Sequence, residues 1–213
     1  MKFFLRKIKK YKLNRGMTYV ELIVVLSIFS IFSGMAIFNY KGFQGKVDIK
    51  NLANEMALQI VEAQKSALNG KLPPSNQQSS DLNWKPSYGI YFNLSSGPNT
   101  GNKVFYYFVD TNSDKDFNHG VYTCPHVGEC VDRINITKGN FISIIESFNN
   151  GSYSAISGPV SITFTRPNSG AVFYTNAPLS AEYIRITLSS ASDTETFIKI
   201  FPSGRVELSD NDQ

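Results

Sequence analysis

The chain has 213 residues, 42% of them hydrophobic, and a formal charge of +4 at pH 7. That length admits one domain, or one domain with an appendage, and suffices to bury a core. Seven of the 21 basic residues (Lys2, Arg6, Lys7, Lys9, Lys10, Lys12 and Arg15) lie in the first sixteen positions with no acid among them, leaving 14 basic against 17 acidic residues from Met17 onward. The basicity belongs to the leader, so it argues for membrane orientation and not for a nucleic-acid footprint.

After the leader comes a lone acid, Glu21, and then seventeen uncharged residues from Leu22 to Phe38. As a helix, residues 17–38 would reach about 30 Å, the thickness of bilayer hydrocarbon. The sequence therefore predicts a single transmembrane span, with the leader cytoplasmic and the remainder exported. Three readings of the junction compete. A cleaved secretory signal would be cut near Gly34 and Ala36. An uncleaved anchor would hold Glu21 about 6 Å into the span, where it could snorkel outward. The third reading uses the whole string.

That string is a basic leader, Gly16, Met17, Thr18, Glu21 and a long apolar helix. It resembles the processing signal of type IV prepilins and type II secretion pseudopilins. The resemblance implies a prepilin peptidase that cuts between Gly16 and Met17 and methylates the Met17 amine. It also implies that Glu21, fifth in the mature chain, pairs with the Met17 amine of a neighbouring subunit and sets axial register. The physics agrees. Glycine lets a peptidase approach the backbone closely, and an unpaired carboxylate at the edge of hydrocarbon is costly until a neighbour cancels it. The chain departs from many filament-forming pilins in having no proline between Met17 and Leu72. That departure suits a minor subunit better than a bulk one.

Ser27, Ser30, Ser33 and Gly34 recur at helical spacing in the apolar run. Either they form a small-residue face for close helix packing, or they are serines of the kind any membrane helix tolerates. From about residue 39 to 70 the pattern becomes amphipathic. Ile49, Leu52, Ala53, Met56, Ile60, Ala63 and Ala67 follow one helical stripe, and Asn69-Gly70 with Pro73-Pro74 ends it. The reading is one helix over about 17–69, its first half in lipid or a filament core and its second half packed on a head.

Residues 71–213 read as a β-rich head. Strands are expected at "YGIYFNL", "KVFYYFV", "DRINIT", "FISIIES", "VSITFT", "AVFYT", "EYIRITLS", "ETFIKIF" and "GRVEL", divided by glycine- and serine-rich turns. Several alternate, which implies one face packed and one wet. The order "YGIYF", "VSITFTRPNSG" and a closing "IKIFPSGRVEL" resembles the head of the GspH/FimT minor pseudopilins. The expected fold is thus α+β and type IV pilin-like.

Two constellations could carry chemistry in the head. Asp110, Asn112, Asp114 and Asp116 alternate like the start of a calcium loop. However, Lys115 stands where a glycine usually permits the sharp turn, and no glutamate closes the loop. Structural calcium and a solvated acidic turn both remain open. Cys124 and Cys130 have five residues between them. In an oxidising compartment a disulfide is the default, worth about 2.4 kcal/mol by chain entropy. The rival is zinc held with His119 and His126, whose spacings match no familiar pattern. No catalytic motif is present, so no enzyme activity and no obligatory cofactor are expected. The resemblance implies as partners the peptidase-methyltransferase, other pilins, an assembly platform and membrane lipid. The location it implies is the bacterial inner or cytoplasmic membrane, then a pilus or pseudopilus. The alternative is a signal-anchored or secreted binding or adhesion domain with no filament role.

Overall fold

In a computed structural model of the protein, residues 16–81, 83–95, 97, 101–118, 124–125 and 128–210 are described, with residues 36–41 described in backbone only. The basic leader and both histidines lie outside the described residues. By its contacts the chain divides after Gly42 into an N-terminal unit and a head of Phe43–Gln213.

Helix α1 runs Tyr19–Leu68. Thr18 is its N-cap: the Glu21 N–H donates to Thr18 Oγ1 at 3.3 Å, and the Leu22 N–H donates to the Thr18 carbonyl at 3.1 Å. Gly70 ends it in the left-handed region, φ +61°. Its N–H returns to Ala67 O, and the Lys71 N–H to Ser66 O, each at 3.0 Å. This is a Schellman closure, which needs a residue without a Cβ clash. The uncharged run is described with its side chains from Leu22 to Met35, fourteen residues or about 21 Å of rise. Among the described residues no helix is long and apolar enough to cross a membrane. The end of the expected span falls on residues 36–38, whose side chains lie outside the description.

The head holds two antiparallel sheets. The first has the order β3-β2-β1-β6-β7-β8, from β1 (Ser87–Phe92), β2 (Val104–Asp110), β3 (Cys130–Asn135), β6 (Val160–Thr165), β7 (Asn168–Tyr174) and β8 (Pro178–Leu179). The second has the order β11-β10-β9-β4-β5, from β4 (Phe141–Asn149), β5 (Ser152–Ala155), β9 (Tyr183–Ser189), β10 (Glu195–Ile200) and β11 (Val206–Ser209). The predicted stripe Ile49, Leu52, Ala53, Met56, Ile60, Ala63 and Ala67 is buried in one core with residues of both sheets, including Ile90, Phe105, Ile145, Ile186 and Ile198. A long N-terminal helix whose later turns pack on antiparallel sheets is compatible with a pilin-like fold.

The expected one-sided alternation fails at β1 and β2, which are buried throughout. Their inner face carries Tyr88, Ile90, Phe92, Phe105, Tyr107 and Val109. Their outer face carries Tyr91, Val104, Tyr106 and Phe108, covered by Phe117 and Cys130. A return of the chain thus roofs a face that local pattern reads as wet. Gly89 lies where that sheet is tightest: a Cβ there would meet Ile162 O at 2.6 Å and the Phe108 ring at 2.7 Å. Strands β5 and β8 have no counterpart among the expected segments.

Candidate functional site

In the N-terminal unit Gly16 is exposed, and a Cβ built on it would meet nothing within 4 Å. Its φ is outside the left-handed region. Neither packing nor conformation among the described residues asks for glycine at this position. Met17 is 62% exposed, directly before the Thr18 cap. Glu21 is exposed in the first helical turn, where a carboxylate complements the helix dipole. Among the described residues its side chain has no hydrogen bond or ion pair. Around it Tyr19, Val20, Leu22, Ile23, Val24 and Val25 are exposed. Among the described residues Glu21 is a single charge without a partner, flanked by exposed apolar side chains. The serines differ in kind: Ser27 and Ser30 donate to Val24 O and Leu26 O, each at 2.8 Å. Their hydroxyls are satisfied within the helix and need neither water nor a partner.

The Thr18 cap was legible as a threonine three residues before a glutamate, the first half of a capping box. It places Glu21 at the third helical position and the Met17 nitrogen just outside the helix.

In the head, the four residues of the acidic turn bond within the chain. Asp110 is fully buried and faces the Lys115 ammonium at 3.4 Å. Burial pushes its carboxyl above the usual range, and Lys115 opposes the rise. Lys115 adopts φ +71°, the conformation a calcium loop assigns to glycine. Its ammonium also reaches Ser87 Oγ and Thr165 Oγ1, at 3.3 and 3.2 Å. Asp114 accepts from the Asn112 and Asn118 amides at 2.8 and 2.6 Å, and from the Asp116 N–H at 2.9 Å. Asp116 accepts from the Ser161 hydroxyl at 2.7 Å. Among the described residues no three His, Cys, Asp or Glu are grouped to hold a metal ion. The turn carries its own cation, Lys115, against its most buried carboxylate.

Cys124 and Cys130 form a disulfide, Cα to Cα 5.7 Å. Both sulfurs are therefore closed to zinc, and the bridge suggests an exported head. Two residues that local pattern did not mark hold this region down. Glu129, only 3% exposed, accepts from the Thr111 N–H and hydroxyl at 2.9 Å each and from the Asn118 N–H at 2.8 Å. Burial raises its carboxyl, and those donors pull it back. Gln77, in a short 3₁₀ turn at Ser75–Gln77, donates its amide to the carbonyls of Gly128 at 2.9 Å and Cys130 at 2.8 Å.

No protein-family model, curated protein or solved structure matches this chain.

Proposed function

We propose that the chain is a minor subunit of a type IV pilus or type II secretion-like filament, nearest in kind to the GspH/FimT pseudopilins. It enters the cytoplasmic membrane through α1, with the leader inside and the head exported. A prepilin peptidase cuts after Gly16 and methylates Met17. The chain then joins other pilins at an assembly platform, and Glu21 pairs with the Met17 amine of a neighbour. Its work is mechanical and not catalytic.

The carrying observation is Glu21: a single exposed carboxylate, without a partner among the described residues, on an apolar helix whose start is fixed by Thr18. A charge so placed is a liability in lipid and an asset only beside an opposite charge. The open, conformationally ordinary Gly16 and the disulfide-bearing head support the same reading. Mass spectrometry of membrane-extracted protein tests it. The expected N-terminus is Met17, methylated on its amine. An N-terminus at Ile37, or an intact leader, would return the chain to an exported or anchored binding domain.

A further inference from the structure

Asparagine before glycine is a chemically reactive pair, because a glycine nitrogen carries no Cβ neighbour to hinder its attack on the asparagine side chain. The chain holds two such pairs, Asn69-Gly70 and Asn150-Gly151. The fold treats them differently. Asn69-Gly70 closes α1, where the Gly70 N–H donates to Ala67 O and the Lys71 N–H to Ser66 O, each at 3.0 Å. Ser66 and Ala67 are buried, and a Cβ on Gly70 would meet the Arg166 guanidinium. The Gly70 nitrogen is therefore engaged, and freeing it means unwinding a packed helix end.

Asn150-Gly151 is the two-residue loop between β4 and β5, closed by the pairing of Asn149 with Ser152. Both loop residues are exposed, with φ of +50° and +78°. Positive φ at both positions makes this a type I′ turn. The Asn150 N–H donates to Glu182 Oε1 at 3.0 Å. Among the described residues, neither the Asn150 side-chain amide nor the Gly151 N–H has a hydrogen-bond partner. As the mirror image of a type I turn, the loop sets ψ at Asn150 to about +30°. The Gly151 nitrogen then lies nearly anti to the Asn150 Cβ, so attack waits for the turn to open. One side of the hairpin is fixed: the Asn149 amide donates to Ser180 O at 2.6 Å, and its oxygen accepts from the Glu182 N–H at 3.1 Å. The other side is β5, four residues long and exposed throughout. A segment with so little buried surface opens at low free energy.

We propose that Asn150 is a site of spontaneous deamidation, with water as the only co-reactant. In the opened turn the Gly151 nitrogen gives up its proton and attacks Asn150 Cγ. A bond forms between them, the Cγ–Nδ2 bond breaks, ammonia leaves with the proton, and a five-membered succinimide remains. Water then adds to one succinimide carbonyl and breaks its bond to the ring nitrogen. Opening at Cγ gives aspartate, and opening at the Asn150 main-chain carbonyl gives isoaspartate. Isoaspartate inserts Cβ into the main chain, which a two-residue turn in this register does not accommodate. Either product sets a new carboxylate beside Glu182, which already accepts the Asn150 N–H. Strand β5 should then leave the sheet, taking the Tyr153 ring from Phe148, 4.8 Å away, and from the Arg185 guanidinium, 3.6 Å away. The site stands whether or not the chain enters a filament.

The test incubates the full chain in detergent micelles at mildly alkaline pH and follows both pairs by peptide mapping. Mass reports the change from amide to acid, and enzymatic methyl transfer from S-adenosylmethionine reports isoaspartate. Asn150 should react at least about tenfold faster than Asn69, because its turn opens more easily. Short synthetic peptides spanning each pair carry the sequence without the fold, and in them the two rates should converge. Tyr153→Ala removes the ring that holds β5 against Phe148 and should speed the reaction at Asn150 while leaving Asn69 unchanged. Three results would overturn the proposal: no isoaspartate at Asn150 over a period in which its peptide reacts fully, a rate at Asn69 equal to or above that at Asn150, or a difference between the two that persists in the peptides. So would a rate at Asn150 indifferent to Tyr153→Ala, since the reaction would then not pass through the opened hairpin.

Discussion

Arg185 offers a quantitative check on how the second sheet is built. Its side chain is 9% exposed and that of Glu146 13%. Two guanidinium donors meet one carboxylate oxygen, Nε at 3.0 Å and Nη2 at 2.6 Å. The guanidinium also sits 3.6 Å from the Tyr153 ring centroid and 5.4 Å from that of Phe197. Arg185→Met keeps most of the length but leaves Glu146 as a largely buried, uncompensated carboxylate. Breaking one side of such a pair costs about 3–5 kcal/mol. For a domain of this size each kcal/mol lowers Tm by about 2–4 °C. The single variant should therefore melt roughly 6–20 °C below wild type. Replacing both partners with apolar residues removes the buried charge along with the bond, and such exchanges are often neutral. Arg185→Met with Glu146→Leu should thus return most of the loss, a coupling of at least about 2 kcal/mol. Thermal unfolding of the full chain, followed by near-ultraviolet circular dichroism, supplies all four corners of the cycle. A double variant as unstable as the sum of the singles would refute the reasoning. It would mean that the two side chains act as independent packing groups.

Reducing the disulfide, or changing Cys124 and Cys130 to Ala, should cost about 2 kcal/mol and loosen the segment roofing β1 and β2 without unfolding the head. Non-reducing peptide maps of exported protein should show the bridge, and full native thiol labelling would contradict it. Millimolar calcium should leave Tm unchanged, because Lys115 already faces Asp110 and the Asp114 carboxylate is taken by three donors. A calcium-dependent rise abolished by Asp114→Ala would establish a cation site at the turn.

The long-period features were legible in the sequence, and the long-range ones were not. The stripe from Ile49 to Ala67 and the stop at Gly70 could be read directly, because helical period and capping are local. The strong strands were legible through alternation and aromatic content. Strand β5 was not, because Ser-Tyr-Ser-Ala has no apolar period and is a strand only through its pairing with β4. The two-sided burial of β1 and β2 depends on Phe117 and Cys130 folding back over them, which no local window contains. Lys115 was noted as the residue replacing a loop glycine. Its adoption of the glycine conformation while neutralising Asp110 is a three-dimensional fact. Glu129 and Gln77 look like surface residues in sequence and are nearly buried in the fold, because each satisfies backbone groups from distant segments.

The central claim is that Glu21 exists for a neighbour's Met17 amine. Glu21→Ala should insert into the membrane at least as well as wild type, since it removes a charge from the edge of an apolar run. It should still be cut after Gly16 if the peptidase reads the glycine and the basic leader. Only assembly should suffer, because an attraction that is strong at low dielectric has been lost. The direct measurement is crosslinking between this subunit and its filament partners in intact membranes, for wild type and Glu21→Ala at matched expression and matched processing. A large loss of crosslinked product is expected in the variant. Equal crosslinking in the two would contradict it and leave Glu21 a tolerated interfacial charge.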